Sequence, residues 1–155
     1  MKKIVTILSL IFVCSGAFAQ APLPQCKDAR GNVLSGTIDQ LKQIMNSGTN
    51  RPQAYATGTI TSILPDDTQG LPHQKFSITI GGQITLEIVS NLDFGRIPVQ
   101  MGQIVSVCGE YLSVDQGMIH WTHFDPHGGH ADGFTILNGQ LYGQEQTSTT
   151  GESFH

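Results

Sequence analysis

From Ala54 onward the apolar residues change from a helical period to alternation, and no other feature limits the fold of this chain as much. Ala56, Gly58, Ile60 and Ser62 share one face of a first strand, which Pro65-Asp66-Asp67 is expected to end. Phe76, Ile78 and Ile80 mark a second strand and Ile84, Leu86 and Ile88 a third, with Gly81-Gly82 as a two-residue hairpin turn. A fourth strand runs from about Gln103 to Leu112, with Val105, Val107 and Tyr111 on its apolar face and Ser106, Cys108 and Glu110 on the other. Asp115-Gln116-Gly117 turns the chain into a fifth, Met118 to His123, and a further hairpin is expected around Asn138-Gly139. Ahead of the strands, Thr37 can cap a short helix whose Ile38, Leu41 and Met45 recur at helical spacing, with Gly48 as the stop. The expectation is a mainly β fold, a small five-stranded OB-like barrel with a short N-terminal helix, although a small sandwich would show the same alternation.

The N-terminus has a different character. Lys2-Lys3, the apolar run Ile4 to Val13 and the small-x-small site Ala17-Phe18-Ala19 make a secretory signal peptide, cleaved before Gln20. The run is too short to cross a roughly 30 Å hydrocarbon core, and Ile11-Phe12-Val13 lacks the small residue that precedes a lipoprotein cysteine. The expected organisation is a signal peptide over 1–19, a lead-in and short helix over 20–52, the OB-like domain over 53–143 and a disordered tail over 144–155. The product is expected in the periplasm or outside the cell, with no membrane insertion once the leader is gone.

Processing alters the charge and the cysteine count. The leader takes two of the 8 Lys+Arg and none of the 12 Asp+Glu, so the mature chain carries six basic against twelve acidic residues, a net −6. The remaining cations are scattered, which opposes a phosphate backbone as partner. A saccharide, peptide or protein ligand is favoured over nucleic acid. Of 3 cysteines, Cys14 leaves with the signal. Cys26 and Cys108 then form either a disulfide, as an exported chain permits, or a buried thiol and a free one.

One segment is dense in chemistry. His120-Trp121-Thr122-His123-Phe124-Asp125-Pro126-His127-Gly128-Gly129-His130-Ala131-Asp132 holds four of the 6 histidines, two carboxylates and the single tryptophan. Histidine and aspartate are ligands for zinc and other first-row metals. If the fifth strand stays regular, His120 and His123 point to opposite faces. Pro126 and Gly128-Gly129 can then fold His127 and His130 back beside His123 and Asp125. The candidate metal set is therefore His123, Asp125, His127, His130 and Asp132, holding a divalent cation such as zinc, with His120 working separately. The same aspartates are also residues that simply hold turns. Candidate ligand-binding residues are His73, Gln74, Asn91, Asp93, His120 and Trp121, and His120 and His73 are the candidate general acid or base.

Leu64-Pro65-Asp66-Asp67, His73-Gln74-Lys75-Phe76, Asn91-Leu92-Asp93, Gly109-Glu110-Tyr111 and the run His120 to Pro126 with His130-Ala131-Asp132-Gly133 resemble a family of short bacterial proteins of unknown function. Its signature reads HQ-x-F, N-x-D, HWTH-x-DP and H-x-DGW, and Phe134 stands where the family has tryptophan. The resemblance implies a shared OB-like core and carries no activity, substrate or cofactor. Three functions remain open: an exported binding module with a histidine-rich rim, a metal-assisted hydrolase of phosphoesters or a nuclease-like enzyme, and a structural domain.

Overall fold

The structure, a computed structural model, describes residues 22–144, so the expected signal peptide over 1–19 and all of the expected tail past Gln144 lie outside the described residues. The helix α1 spans Ile38–Asn46; Thr37 caps it by accepting from the N–H of Gln40, and Gly48 follows in a left-handed conformation. Seven strands follow: β1 (Gln53–Asp67), β2 (His73–Ile80), β3 (Ile84–Asn91), β4 (Ile104–Leu112), β5 (Met118–His120), β6 (Phe134–Leu137) and β7 (Gln140–Tyr142). A short 3-10 turn, Leu92–Phe94, follows β3.

Five of the strands close a ring in the order β1-β2-β3-β5-β4, because β4 pairs back onto β1. Only the β3–β5 contact is parallel. The long β1 makes closure possible: residues from Gln53 to Thr59 pair with β4, and those from Thr59 onward pair with β2. Gly58 lies where the two ladders meet, and a Cβ there would come to 2.8 Å from the carbonyl oxygen of Thr79. A register shift between Ile60 and Ser62 bends the strand at the same place, as an extra residue on one strand does.

The alternating residues turn inward as their spacing requires. Phe76, Ile78, Leu86, Ile88, Val105, Val107 and Ile119 are fully buried inside the ring. Each such side chain contributes about 1.5–3 kcal/mol of burial. Leu41, with Ile38 and Met45 beside it, packs the helix on this core near the β2–β3 turn, where Ile38 fills the space a side chain at Gly81 would need. A smaller cluster of Cys26, Leu34, Cys108 and Phe134 joins the N-terminal lead-in to the sheet. Cys26 and Cys108 form a disulfide with a Cα separation of 5.6 Å.

Three expectations are corrected. Pro65-Asp66-Asp67 does not end β1, which continues to Asp67 along β2, with a register shift between Leu64 and Asp67. The β2–β3 loop has a third residue, since Ile80 pairs with Ile84 and Gln83 N–H donates to the Ile80 carbonyl at 3.0 Å. The fifth strand stops at His120 and not His123. Asn138 and Gly139 do make the two-residue turn of a hairpin, both with positive φ, joining β6 to β7.

Candidate functional site

The β5–β6 connection carries the histidine segment, and β4 determines where it emerges. One edge of β4 pairs with β6 through Val105 to Cys108 and with β5 through Glu110 to Leu112. Gly109 lies between the two stretches, and a Cβ there would collide with the carbonyl oxygen of His120. The chain leaves the sheet at that point. Trp121 adopts φ 51°, which for a bulky side chain costs about 1–2 kcal/mol and is sustained only when the surroundings enforce it.

The surroundings do enforce it. Gly133 N–H donates to the His123 carbonyl at 2.9 Å and Phe124 N–H to the Gly143 carbonyl at 2.7 Å. Thr122 is fully buried, its hydroxyl donating to the Val89 carbonyl at 3.3 Å. Side chains at Gly133 or Gly143 would strike the backbone of Trp121, Thr122 and His123. Arg51, also at positive φ, lays its guanidinium 3.9 Å from the centre of the Trp121 ring. Its Nε lies 2.7 Å from Glu110 Oε2, an ion-pair contact too bent to count as a hydrogen bond.

The break at Trp121 removes the regular strand on which the opposite facing of His120 and His123 was expected. Alternation no longer applies past His120, and the rings stand as two pairs. His73 and His120 stand 5.0 Å apart between centroids, His123 and His130 4.8 Å apart at a steep angle, and His123 stacks on Phe94 at 4.2 Å. His120 is pushed down to about 4 by burial, helped by the nearby positive character of His73, His123, Arg51 and His130. Burial also lowers His123, whose bond to the Phe124 carbonyl works the other way. Around neutral pH both rings are uncharged.

The carboxylates serve the loop. Asp125 accepts from the N–H of His127 at 2.9 Å and of His130 at 2.8 Å, and these bonds hold its carboxyl down at about 2. Asp132 accepts from the N–H of Asp125 at 3.0 Å. His127 is exposed. Among the described residues no three His, Cys, Asp or Glu side chains stand together as a metal site would hold them.

The remaining candidates divide. His73 joins His120 at a shallow groove of about 180 Å³ on the outer face of β2, β3 and β5, with Lys75, Glu87, Val89 and Met118 on its floor and Asp67 and Gln69 at one end. Lys75 and Glu87 pair at 3.1 Å, so the floor offers no free cation. Gln74 points the other way. Its amide is buried and bonded to both backbone groups of Ile97, at 2.8 and 2.9 Å, so it is not part of the rim. Asn91 caps the 3-10 turn by accepting from the N–H of Asp93 at 2.8 Å, and Asp93 is exposed. Arg51, Glu110 and Phe94 belong to the site and were not foreseen; nothing local in the sequence marks them, because each reaches it through tertiary packing.

A family described as "Protein of unknown function (DUF3465)" matches residues 30–143. The chain belongs to that family. The match takes in the ring, the β6–β7 hairpin and the whole histidine segment. No curated protein matches the sequence. Membership in DUF3465 brings no activity with it, so the function must be argued from the site.

Proposed function

We propose that the chain is an exported binding module with an OB-like core, which holds a saccharide or peptide ligand on its histidine-lined rim. The ring order, with one parallel contact between β3 and β5 and a first strand shared by β2 and β4, supports the OB-like reading. OB folds bind linear ligands on the face of strands 2 and 3, between the loops after strands 1 and 4. In this chain the same face carries the groove with His73 and His120. The Cys26–Cys108 disulfide fits an oxidising compartment, as the signal peptide implies. Among the described residues no helix is long and apolar enough to cross a membrane.

One observation carries the reading: the imidazoles of His73 and His120 stand 5.0 Å apart in an open groove, beside a tryptophan held in a costly backbone conformation. Such outliers persist where a site needs a side chain in one place. The groove's one cation is already paired, and the mature chain is acidic, so a polar ligand without phosphates suits it better than nucleic acid.

Trp121 is the single tryptophan and its ring lies 4.0 Å from that of His120, so its emission reports on the rim. Metal-free mature protein is titrated with neutral oligosaccharides, short peptides and a single-stranded oligonucleotide. A saturable change is expected with a saccharide or peptide, weakened at least about tenfold when His73 and His120 are both replaced by Ala, as loss of the central contacts of an interface does. Tight oligonucleotide binding, or a ligand bound equally well by the double variant, overturns the proposal.

A further inference from the structure

We infer that the rim binds a first-row transition-metal cation through the imidazoles of His73, His120, His123 and His130. This rests on the reading of the rim as a binding site and names one class of ligand for it. The set differs from the one expected from spacing alone, because Asp125 and Asp132 are committed to backbone N–H groups and His127 is exposed.

Three features of the histidines support the assignment. The first is the tautomer. His123 Nδ1 donates to the Phe124 carbonyl at 2.7 Å and His130 Nδ1 to the Ala131 carbonyl at 2.8 Å. A carbonyl can only accept, so each Nδ1 carries a proton, and in the neutral ring Nε2 is the atom that holds the lone pair. Metal-binding histidines are commonly held in this way by a backbone carbonyl, which fixes both tautomer and ring direction.

The second is spacing. Two imidazoles sharing a metal at about 2.0–2.1 Å per nitrogen bring their ring centres to about 5 Å of each other. The pairs His73–His120 and His123–His130 stand at 5.0 and 4.8 Å. The third is an orphan. His120 Nδ1 is buried and has no hydrogen-bond partner among the described residues. A buried nitrogen without a partner is costly, and a metal is one way to satisfy it.

The donor set selects the ion. A donor set led by imidazoles, with Asp125 Oδ2 3.9 Å from His130 Nε2, suits zinc, copper or nickel, and magnesium and calcium demand a set of oxygens. Since no three donors stand together among the described residues, binding requires rotation of the His73 and His120 side chains toward the pair of His123 and His130. The metal would then join the groove to the β5–β6 loop.

Mature protein freed of metal with a chelator is titrated with Zn²⁺ by calorimetry, and with Cu²⁺ by quenching of Trp121, whose ring lies 4.0 Å from that of His120 and 6.1 Å from that of His130. One equivalent is expected to bind, with at least about tenfold loss in His120→Ala and in His123→Ala, no change in His127→Ala, and no response to Mg²⁺. If His123→Ala does not fold by circular dichroism, His73→Ala takes its place. Absence of saturable binding to wild-type protein, equal affinity in wild type and His120→Ala, or equal loss in His127→Ala overturns the inference. The ligand panel is run on chelated protein, so a rim that binds a saccharide or peptide but shows no saturable Zn²⁺ or Cu²⁺ binding sinks this inference alone, and a rim that binds only metal sinks the saccharide or peptide reading alone.

Discussion

The guanidinium of Arg51 sits 3.9 Å from the centre of the Trp121 ring while its Nε touches Glu110, so one side chain holds the tryptophan and neutralises a nearly buried carboxylate. The Glu110 side chain is only 12% exposed. Arg51→Ala leaves that charge with no counterion and removes the cation–π contact. Arg51 itself is partly exposed, which weakens the effect, and a loss of about 1–3 kcal/mol is expected in denaturant unfolding. Adding Glu110→Gln should recover part of it. If the double variant is less stable than Arg51→Ala, the carboxylate is not the source of the cost.

Gly133 and Gly128 offer a contrast within one loop. A Cβ at Gly133 would strike the Trp121 carbonyl and lie 2.7 Å from the Cys108 carbonyl and 2.9 Å from His123 N, all backbone atoms that cannot yield. At Gly128, with φ 68°, a Cβ meets nothing within 4 Å. Gly133→Ala should therefore cost more than about 3 kcal/mol, and Gly128→Ala only the strain of a left-handed residue, about 1–2 kcal/mol. Melting curves that rank the two in the opposite order would refute the clamped geometry.

The disulfide joins residues 82 apart in sequence and ties the lead-in to β4. Closing so long a loop restricts the unfolded chain, and replacing both Cys26 and Cys108 by Ala should lower stability by about 2–5 kcal/mol. The measurement is a pair of denaturant curves, and midpoints that coincide would show that the bridge adds nothing.

Acid should destabilise the fold in a defined window. His120 titrates near 6.5 when unfolded and at about 4 when folded, so between these values the unfolded state holds the extra proton. Its contribution is complete above pH 6.5 and is lost as the pH falls toward 4. The ring is partly exposed, so the loss is about 1 kcal/mol and the melting midpoint drops by a few degrees. Below that window Asp125, lowered from 3.8 to about 2, adds a second acid limb of the same sign. His120→Gln should flatten the first limb and spare the second; a slope unchanged by the substitution would show that other groups produce it.

Asp125→Ala should free the N–H groups of His127 and His130. Faster hydrogen exchange at both amides is expected, with a lower melting midpoint and the second acid limb gone. Unchanged protection at His127 and His130 would mean that the loop is held by other contacts.

Much of this architecture is local and therefore legible in the chain. Alternation placed Phe76, Ile78, Leu86, Ile88, Val105 and Val107 in the core, because strand side chains change face at every residue. Thr37 announced the helix and Asn138-Gly139 the last hairpin, since cap and turn preferences act over a few residues. Cys26 and Cys108 were the one pair that the expected processing would leave, and they do form the disulfide. Tertiary structure decided the rest. Gly109, Gly133 and Gly143 let distant backbones press on residues 120–123, so Trp121 turns left-handed and the alternation that separates His120 from His123 fails. Gln74 faces Ile97 because the β3–β4 connection packs on the inner side of β2, and Asp125 folds its own loop instead of facing outward. Local periodicity is a property of a regular strand. Where a strand stops is decided by what packs against it.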